Sequence, residues 1–305
     1  MNQLRVLKRK EIDEQKWNAL IQNSVQSLPY ALSYYLDAVA ENWEAVVLND
    51  YEAAMPLVWL RKLGLKCLYQ PYYCQQLGVF SRQNLSPKAM KEMLAAAQGF
   101  PYININLNPS VQTIAADFSL KQKKNLLLDL GKDYASIRKN YSENHKRNIA
   151  KAEKSKLVFT EALELKPFQK FYLENINRTK ENFKPQHEKI FKALTKTLTT
   201  NATAKIFAVD NGEQELVAAV LLVLHQNRLV GIINTSSAEG KKSGASHFLF
   251  NKIIQKFSSQ ANLVLDFEGS SVPTIARFYE GFGANEEIFF NYQTTLIKKL
   301  SQRFL

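Results

Sequence analysis

Only two cysteines, Cys67 and Cys74, occur in a chain of 305 residues. They lie among aromatic and apolar neighbours in the run Cys67-Leu-Tyr-Gln-Pro-Tyr-Tyr-Cys74, in no metal or redox spacing. That excludes a disulfide framework and a cysteine-ligated metal, and two reduced structural thiols are expected. Histidine is as sparse: His145, His187, His225 and His247 stand at no helical or hairpin ligand spacing, so no metal site is expected. No run of 18 apolar residues occurs anywhere, which excludes a membrane-spanning helix and stable membrane insertion. The first ten residues contain no apolar leader core, and the expectation is a soluble, cytoplasmic protein. Internal repeats and low-complexity segments are missing too.

What is present is apolar content sufficient for a large core. With 46% hydrophobic residues, a chain of this length predicts two domains of ordinary size and excludes disorder. Charge is unevenly spread. Residues 121–200 carry 19 Lys and Arg against 9 Asp and Glu, an excess of ten in a chain whose net charge is +12. Such a segment favours a polyanionic partner: RNA, an anionic membrane surface or a phosphate-rich cofactor.

The first 125 residues read as mixed α and β. Helices are expected around Trp17, Leu20 and Ile21, over 32–42, and over 86–97 with Ser86-Pro87 as cap and first turn. Strands are expected at 43–48 and 53–60, joined by a turn at Asn49-Asp50, and at 102–107 and 125–130. No glycine-rich phosphate loop occurs here, so this half reads as support or as an acceptor-binding wall. Over 131–160, at about 100° per residue, Ile137, Tyr141, His145, Ile149 and Ala152 share one arc and Lys139, Lys146, Arg147, Lys151 and Lys154 the opposite one. This predicts an amphipathic helix with a cationic face, either simply solvated or in contact with phosphates.

A second helical stretch, 165–200, is interrupted at Lys184-Pro185. Apolar runs at 205–209, 216–224 and 228–235, split by Asp210-Asn-Gly212 and His225-Gln-Asn227, predict a three-stranded meander. A loop at 236–243, a helix carrying Phe248, Leu249, Ile253, Ile254 and Phe257, a strand at 262–267, a helix opened by Pro273 and stopped by Gly281-Phe-Gly283, and a closing strand at 288–297 complete the pattern.

The chemistry concentrates in this last third. A helix start carries about half a positive charge and several unpaired N–H donors, and Glu239-Gly-Lys-Lys-Ser-Gly-Ala-Ser246 leads into one. Gly244 permits close approach, Ala245 and Ser246 add no bulk, and Lys241 and Lys242 bring charge, so a pyrophosphate would fit; a plain helix entry through small residues is the simpler account. Tyr279 follows one strand later, where a phenol can protonate a departing thiolate or alkoxide as general acid, or merely pack helix on sheet. Asp266 and Glu268 alternate with Leu265 and Phe267 at a strand's carboxyl end, placed to hold or deprotonate an acceptor amine. The plainer reading of Asp266 is a structural ion pair with Arg277. Backbone N–H groups of Asn234 and Thr235 stand where they would polarise a carbonyl.

Taken in order, three strands, the loop Lys241-x-x-Gly244-x-Ser246, a helix, a strand, the helix Ala276-x-x-Tyr279…Gly283 and a last strand resemble the GNAT acyl-CoA N-acyltransferase fold. Lys241 stands where that superfamily carries Arg or Gln, and Ser246 where its last small residue stands. More narrowly, Tyr141-Ser-x-Asn144-x-Lys-Arg147-Asn-Ile-x-Lys151-Ala-Glu153, Leu265-Asp-Phe-Glu-Gly-Ser-Ser, Arg277-Phe-Tyr-x-x-Phe282-Gly-Ala284 and the stretch 71–80 are similar to FemAB-type proteins. The resemblance implies an α/β (α+β) chain with two tandem GNAT-like mixed sheets flanked by helices, divided at 1–130 and 131–305. It further implies pyrophosphate binding at Lys241, Lys242, Gly244, Ala245 and Ser246, and proton donation by Tyr279. In the best-known family members, amino acids pass from aminoacyl-tRNA to peptidoglycan precursors.

The expected function is therefore N-acyl transfer to a small-molecule or cell-wall-type amine. The donor is acyl-CoA, or aminoacyl-tRNA held on the Lys139–Lys154 cationic face. Two rivals stand beside it: a non-catalytic RNA-binding or scaffold protein on a degenerate acyltransferase fold, since fold does not fix function, and a peripheral membrane protein acting on lipid-linked acceptors.

Overall fold

A computed structural model describes residues 3–176, 183–201, 203–268 and 272–295. Contacts divide the chain into two compact units, Met1–Lys123 with Ile288–Leu305, and Lys124–Glu287. The break falls at Lys123 rather than after residue 130, because the strand crossing it pairs into the second unit from Leu127 to Asp129.

The first unit contains β1 (Leu4–Lys8), α1 (Glu14–Gln22), α2 (Ser33–Val39), β2 (Trp43–Leu48), β3 (Ala53–Lys62), β4 (Leu65–Tyr69), β5 (Phe80–Ser81), α3 (Pro87–Ala95) and β6 (Tyr102–Leu107). Local chemistry sets these bounds. Asp13 accepts from the Lys16 amide to open α1, and Ser86 accepts from the Ala89 amide to open α3, with Pro87 in the first turn. The β2–β3 hairpin closes with Leu48 opposite Ala53. Its core gathers Leu48, Met55, Leu57, Met93, Leu94, Ile103 and Ile105. Each such buried side chain supplies about 1.5–3 kcal/mol.

The second unit follows with β7 (Lys121–Asp129), α4 (Tyr134–Lys139), α5 (Glu143–Glu153), β8 (Val158–Thr160), α6 (Leu165–Asn175), α7 (Pro185–Thr200), β9 (Ala204–Asp210), β10 (Leu216–His225), β11 (Arg228–Ser236), α8 (Ala238–Ser243), α9 (Ala245–Phe257), β12 (Val264–Asp266) and α10 (Pro273–Glu280). Its strands run in the order β7-β12-β11-β10-β9-β8, with β11 and β12 parallel and the other pairs antiparallel. Residues 217–223 of β10 are all buried, so it reads as continuous apolar sequence rather than alternation.

The last strand, β13 (Asn285–Thr295), begins at the end of the second unit and returns to the first, pairing with β6 from Phe290↔Leu107 onward. The first unit's strands thus run β1-β2-β3-β4-β6-β13, with β5 on β3. The sequence reading placed this strand with the C-terminal domain; from Ile288 it belongs to the N-terminal one. Its expected end, 296–297, lies outside the described residues.

Two further expectations change. The single amphipathic helix over 131–160 is two helices, because Ser142 caps α5 by accepting from the His145 amide. The arc nevertheless holds, with Ile137, Tyr141, His145, Ile149 and Ala152 all buried. The loop at 236–243 is the short helix α8, opened by Ser237, which accepts from the Gly240 amide.

Candidate active site

The parallel ladder between β11 and β12 is brief: Arg228↔Val264, Leu229↔Leu265, Val230↔Asp266. β12 ends there, whereas β11 continues to Ser236 beside β10. Against β10, Leu221 faces Ile233 and Leu222 faces Gly231, which leaves Ile232 as an extra residue. Such a bulge re-aims the strand beyond it, and here it falls immediately after the ladder ends. The carboxyl ends of two parallel strands are where ligands bind in mixed sheets.

Tyr279 reaches this place from α10. It is buried, its ring stacked on Phe267 at 4.6 Å between centroids, and the Asn234 side-chain amide donates to its phenolic oxygen at 2.9 Å. Burial pushes the phenol's pKa well above its usual value; the Asn234 bond opposes this weakly, and the nearby charges of Glu268 and Asp266 add to it. The group is a protonated phenol at any physiological pH. With Asn234 donating to its oxygen, the tyrosine's own proton is left for another acceptor.

Two bonds from α5 fix the end of α10. His145 Nε2 lies 2.7 Å from the Phe278 carbonyl, an acceptor, so this nitrogen carries the proton. His145 Nδ1 then accepts from the Ser142 hydroxyl at 3.0 Å. The Ser142 amide donates to the Gly281 carbonyl at 2.9 Å. A β-carbon on Gly281 would lie 2.0 Å from the His145 ring, so only glycine admits this approach. Burial lowers the pKa of His145 and keeps it neutral.

The two carboxylates part company. Asp266 is fully buried; Arg228 Nε donates to one oxygen at 2.8 Å, and the Asn125 amide and Glu268 N–H donate to the other at 2.9 and 3.0 Å. The guanidinium also pairs with Glu287. The expected partner, Arg277, is exposed on α10; Arg228 wins because it enters the ladder opposite Val264, beside Asp266. Strand alternation does not carry on to Glu268, since β12 has ended and Glu268 takes a left-handed backbone (φ 51°). It is half-buried and close enough for its charge to act on Tyr279. A non-glycine residue in this conformation is strained, a feature concentrated at functional sites.

The small-residue segment has a shape that its sequence did not predict. Lys241 and Lys242 form the last turn of α8 and are exposed; Gly244 (φ 79°) ends that helix and starts α9; Ala245 is buried and Ser246 half-buried. A β-carbon at Gly244 would lie 3.0 Å from the Asn148 carbonyl of α5, and Lys151 Nζ donates to the Lys242 carbonyl at 2.9 Å. The glycine therefore serves helix packing, and α8 joins the cationic face of α5. Of the five cations on the α4–α5 arc, Lys146 pairs with Glu143, Lys151 caps α8, and Lys139, Arg147 and Lys154 point outward, exposed. Thr235, half-buried, pairs with Ala219 on β10.

Sequence reasoning missed Arg228, the clamp of Ser142 and His145 on α10, and the Asn234 side chain. A polar asparagine ending an otherwise apolar strand was the signal available for the last. Among the described residues no group of three or more His, Cys, Asp or Glu could hold a metal ion, and no helix is long and apolar enough to cross a membrane.

The sequence matches no protein-family model and no curated protein. Its fold does match solved structures. FemX is similar at a TM-score of 0.66 and 10% identity, over 95% of this chain and 98% of that one. The L-PGS of Bacillus licheniformis is similar at 0.59 and 14%, over 93% and 92%. A tandem GNAT protein from the clavulanic acid biosynthesis pathway is similar at 0.55 and 10%, over 95% and 98%. The chain has a FemAB-like, tandem GNAT fold with mixed sheets flanked by helices.

Proposed function

Starting from that fold, we propose that the protein is an acyl or aminoacyl transferase whose reaction takes place where β11 and β12 part. The observation carrying the proposal is Tyr279: a buried phenol held protonated, braced by Asn234, with Glu268 near it at the carboxyl ends of two parallel strands. In the proposed reaction the acceptor amine attacks the ester or thioester carbonyl and passes its proton to Glu268. The tetrahedral intermediate collapses as Tyr279 protonates the departing oxygen or sulfur. The backbone N–H of Asn234, which alternates away from the β10 ladder, is assigned to the carbonyl oxygen. Asp266, with both oxygens engaged, is assigned to positioning, holding Glu268 through its amide.

For the donor we favour aminoacyl-tRNA over acyl-CoA. In support, the segment suited to a pyrophosphate is folded into α8, with Gly244 packed on Asn148. The exposed Lys139, Arg147, Lys154, Lys241 and Lys242 form a surface suited to a nucleic-acid backbone.

The test pairs aminoacyl-tRNA, and separately acetyl-CoA, with a panel of primary-amine acceptors, following amide formation by mass spectrometry. Tyr279→Phe should lower kcat roughly 10²–10³-fold with little change in KM, in the range of a lost general acid. Transfer at an undiminished rate in that variant would sink the assignment. Binding of tRNA without turnover, in wild type and variant alike, would mark a binding protein instead.

A further inference from the structure

The first unit carries a surface unrelated to this reaction. β3 and β4 pair Trp59↔Leu68, Leu60↔Cys67, Arg61↔Lys66 and Lys62↔Leu65, closing through a two-residue turn, Leu63-Gly64. Both turn residues have positive φ, 50° and 78°. Such turns favour Asn, Asp or Gly at the first position, because a side chain there crowds its own backbone. Leucine is a poor choice for the turn, and folding does not account for it: Leu63 is 96% exposed, the most exposed large apolar residue of the described chain. Leu65 beside it is 54% exposed, and Tyr102, opposite Cys67 on β6, is 36% exposed. Leu65 and Tyr102 lie on one face of the sheet, with the buried Cys67 between them and Lys62 opposite Leu65.

The charge at the tip has one sign. Arg61, Lys62 and Lys66 flank the turn. Arg61 donates to the Gly64 carbonyl at 3.0 Å, and Lys66 lies 4.2 Å over the Trp59 ring while pairing with Glu44, a carboxylate only 13% exposed. Among the described residues neither Arg61 nor Lys62 forms an ion pair. A projecting leucine, a second apolar residue behind it and a collar of cations suit one kind of partner: apolar atoms enter the acyl boundary while the cations stay at the anionic headgroups.

We propose that the β3–β4 hairpin is a docking element for the anionic face of a lipid bilayer, with Leu63 and Leu65 inserted and Arg61 and Lys62 on the headgroups. The proposal is independent of the reaction above and holds whichever donor is used. The test is sedimentation of the full chain with vesicles of phosphatidylcholine alone and of phosphatidylcholine mixed with phosphatidylglycerol, at low and moderate salt. Wild type should sediment with the anionic vesicles only, and less so as salt rises.

Leu63→Asn removes the apolar tip and suits the turn, so thermal unfolding should be unchanged or raised while vesicle binding weakens roughly tenfold. Lys62→Gln should weaken binding about fivefold. Undiminished binding in Leu63→Asn, or no sedimentation of wild type, overturns the proposal. Loss of binding in Lys139→Gln with Lys154→Gln, while Leu63→Asn binds normally, would assign the contact to the basic helices and overturn it as well. Concentration-dependent self-association abolished by Leu63→Asn, in the absence of lipid, would replace the bilayer with a second copy of the chain.

Discussion

Among the described residues each unit contains one parallel strand ladder, and the two ladders end differently. In the second, β11 leaves β12 after Val230↔Asp266, and Tyr279, Asn234 and Glu268 gather where they part. In the first, β4 and β6 separate after Tyr69↔Asn104, but the gap is filled by the chain that follows β4. Leu77 bridges to Leu107, its amide bonding the Asn106 carbonyl; Gln70 Oε1 accepts from the Asn106 amide at 2.8 Å; and the Asn106 side chain donates to the Gln75 carbonyl at 2.7 Å. The residues of the proposed reaction stand where one pair parts, and the other pair is sealed by its own backbone. The fastenings differ as well: an ionic clasp of Arg228, Asp266 and Glu287 in the second unit, neutral amides in the first. On the proposal above, the same strand geometry serves a site in one unit and stability in the other.

The largest effect that would probe this contrast is expected from the ionic clasp. Arg228→Ala leaves Asp266 buried and uncompensated and should cost about 3–5 kcal/mol, read by urea denaturation. Combining it with Asp266→Asn should cost clearly less than the two changes summed, because the stranded charge is gone. A loss near zero for Arg228→Ala would show the clasp to be dispensable.

A smaller effect belongs to the amide seal. Gln70→Ala strips partners from the Asn106 amide and the Cys74 carbonyl, costing about 1–3 kcal/mol of stability with acyl transfer unchanged. If transfer vanished at unchanged stability, the first unit would hold a substrate and the contrast would fail.

A third effect separates the units by acid. All four histidines lie between residues 145 and 247, in the second unit. Burial, helped by Arg228 for His225 and by His145 for His247, lowers both to about 4 from an ordinary 6.5. Between those values the unfolded chain takes up protons that the folded chain refuses. Stability should therefore fall as pH drops from 6.5 towards 4, then level off for these groups. Hydrogen exchange at pH 5 should loosen 124–287 while leaving the first unit's strands protected. Equal loosening of both would contradict this.

Much of the frame was legible because it rests on local signals. The β9–β11 meander follows from Asp210-Asn-Gly212 and His225-Gln-Asn227, α3 from Ser86-Pro87, and the buried arc of α4–α5 from its helical period. Tyr279 was legible as a candidate from its place after a strand. Arg228 was not, since its bond to Asp266 is made across a ladder and joins residues 38 apart, whereas Arg277 lay nearer in sequence. The break at Ser142 is a capping choice that periodicity does not see. α8 escaped because a helix of six residues with Gly240 inside it has little propensity of its own; it exists because that glycine lets it pack on the Val217 carbonyl of β10.

The late position of β13 also bears on how the protein is made. Asn106 and Asn291 are neighbours across β6 and β13 yet 185 positions apart. A ribosome releases the N-terminal unit first, but without the strand that completes its sheet, so the later-made, uninterrupted segment 124–287 can finish folding while the earlier one still waits. Until the strand at 288–295 emerges, β6 presents an unpaired edge of the sort that invites wrong partners. The N-terminal unit is thus the first made, yet it cannot complete its sheet until the chain is almost finished.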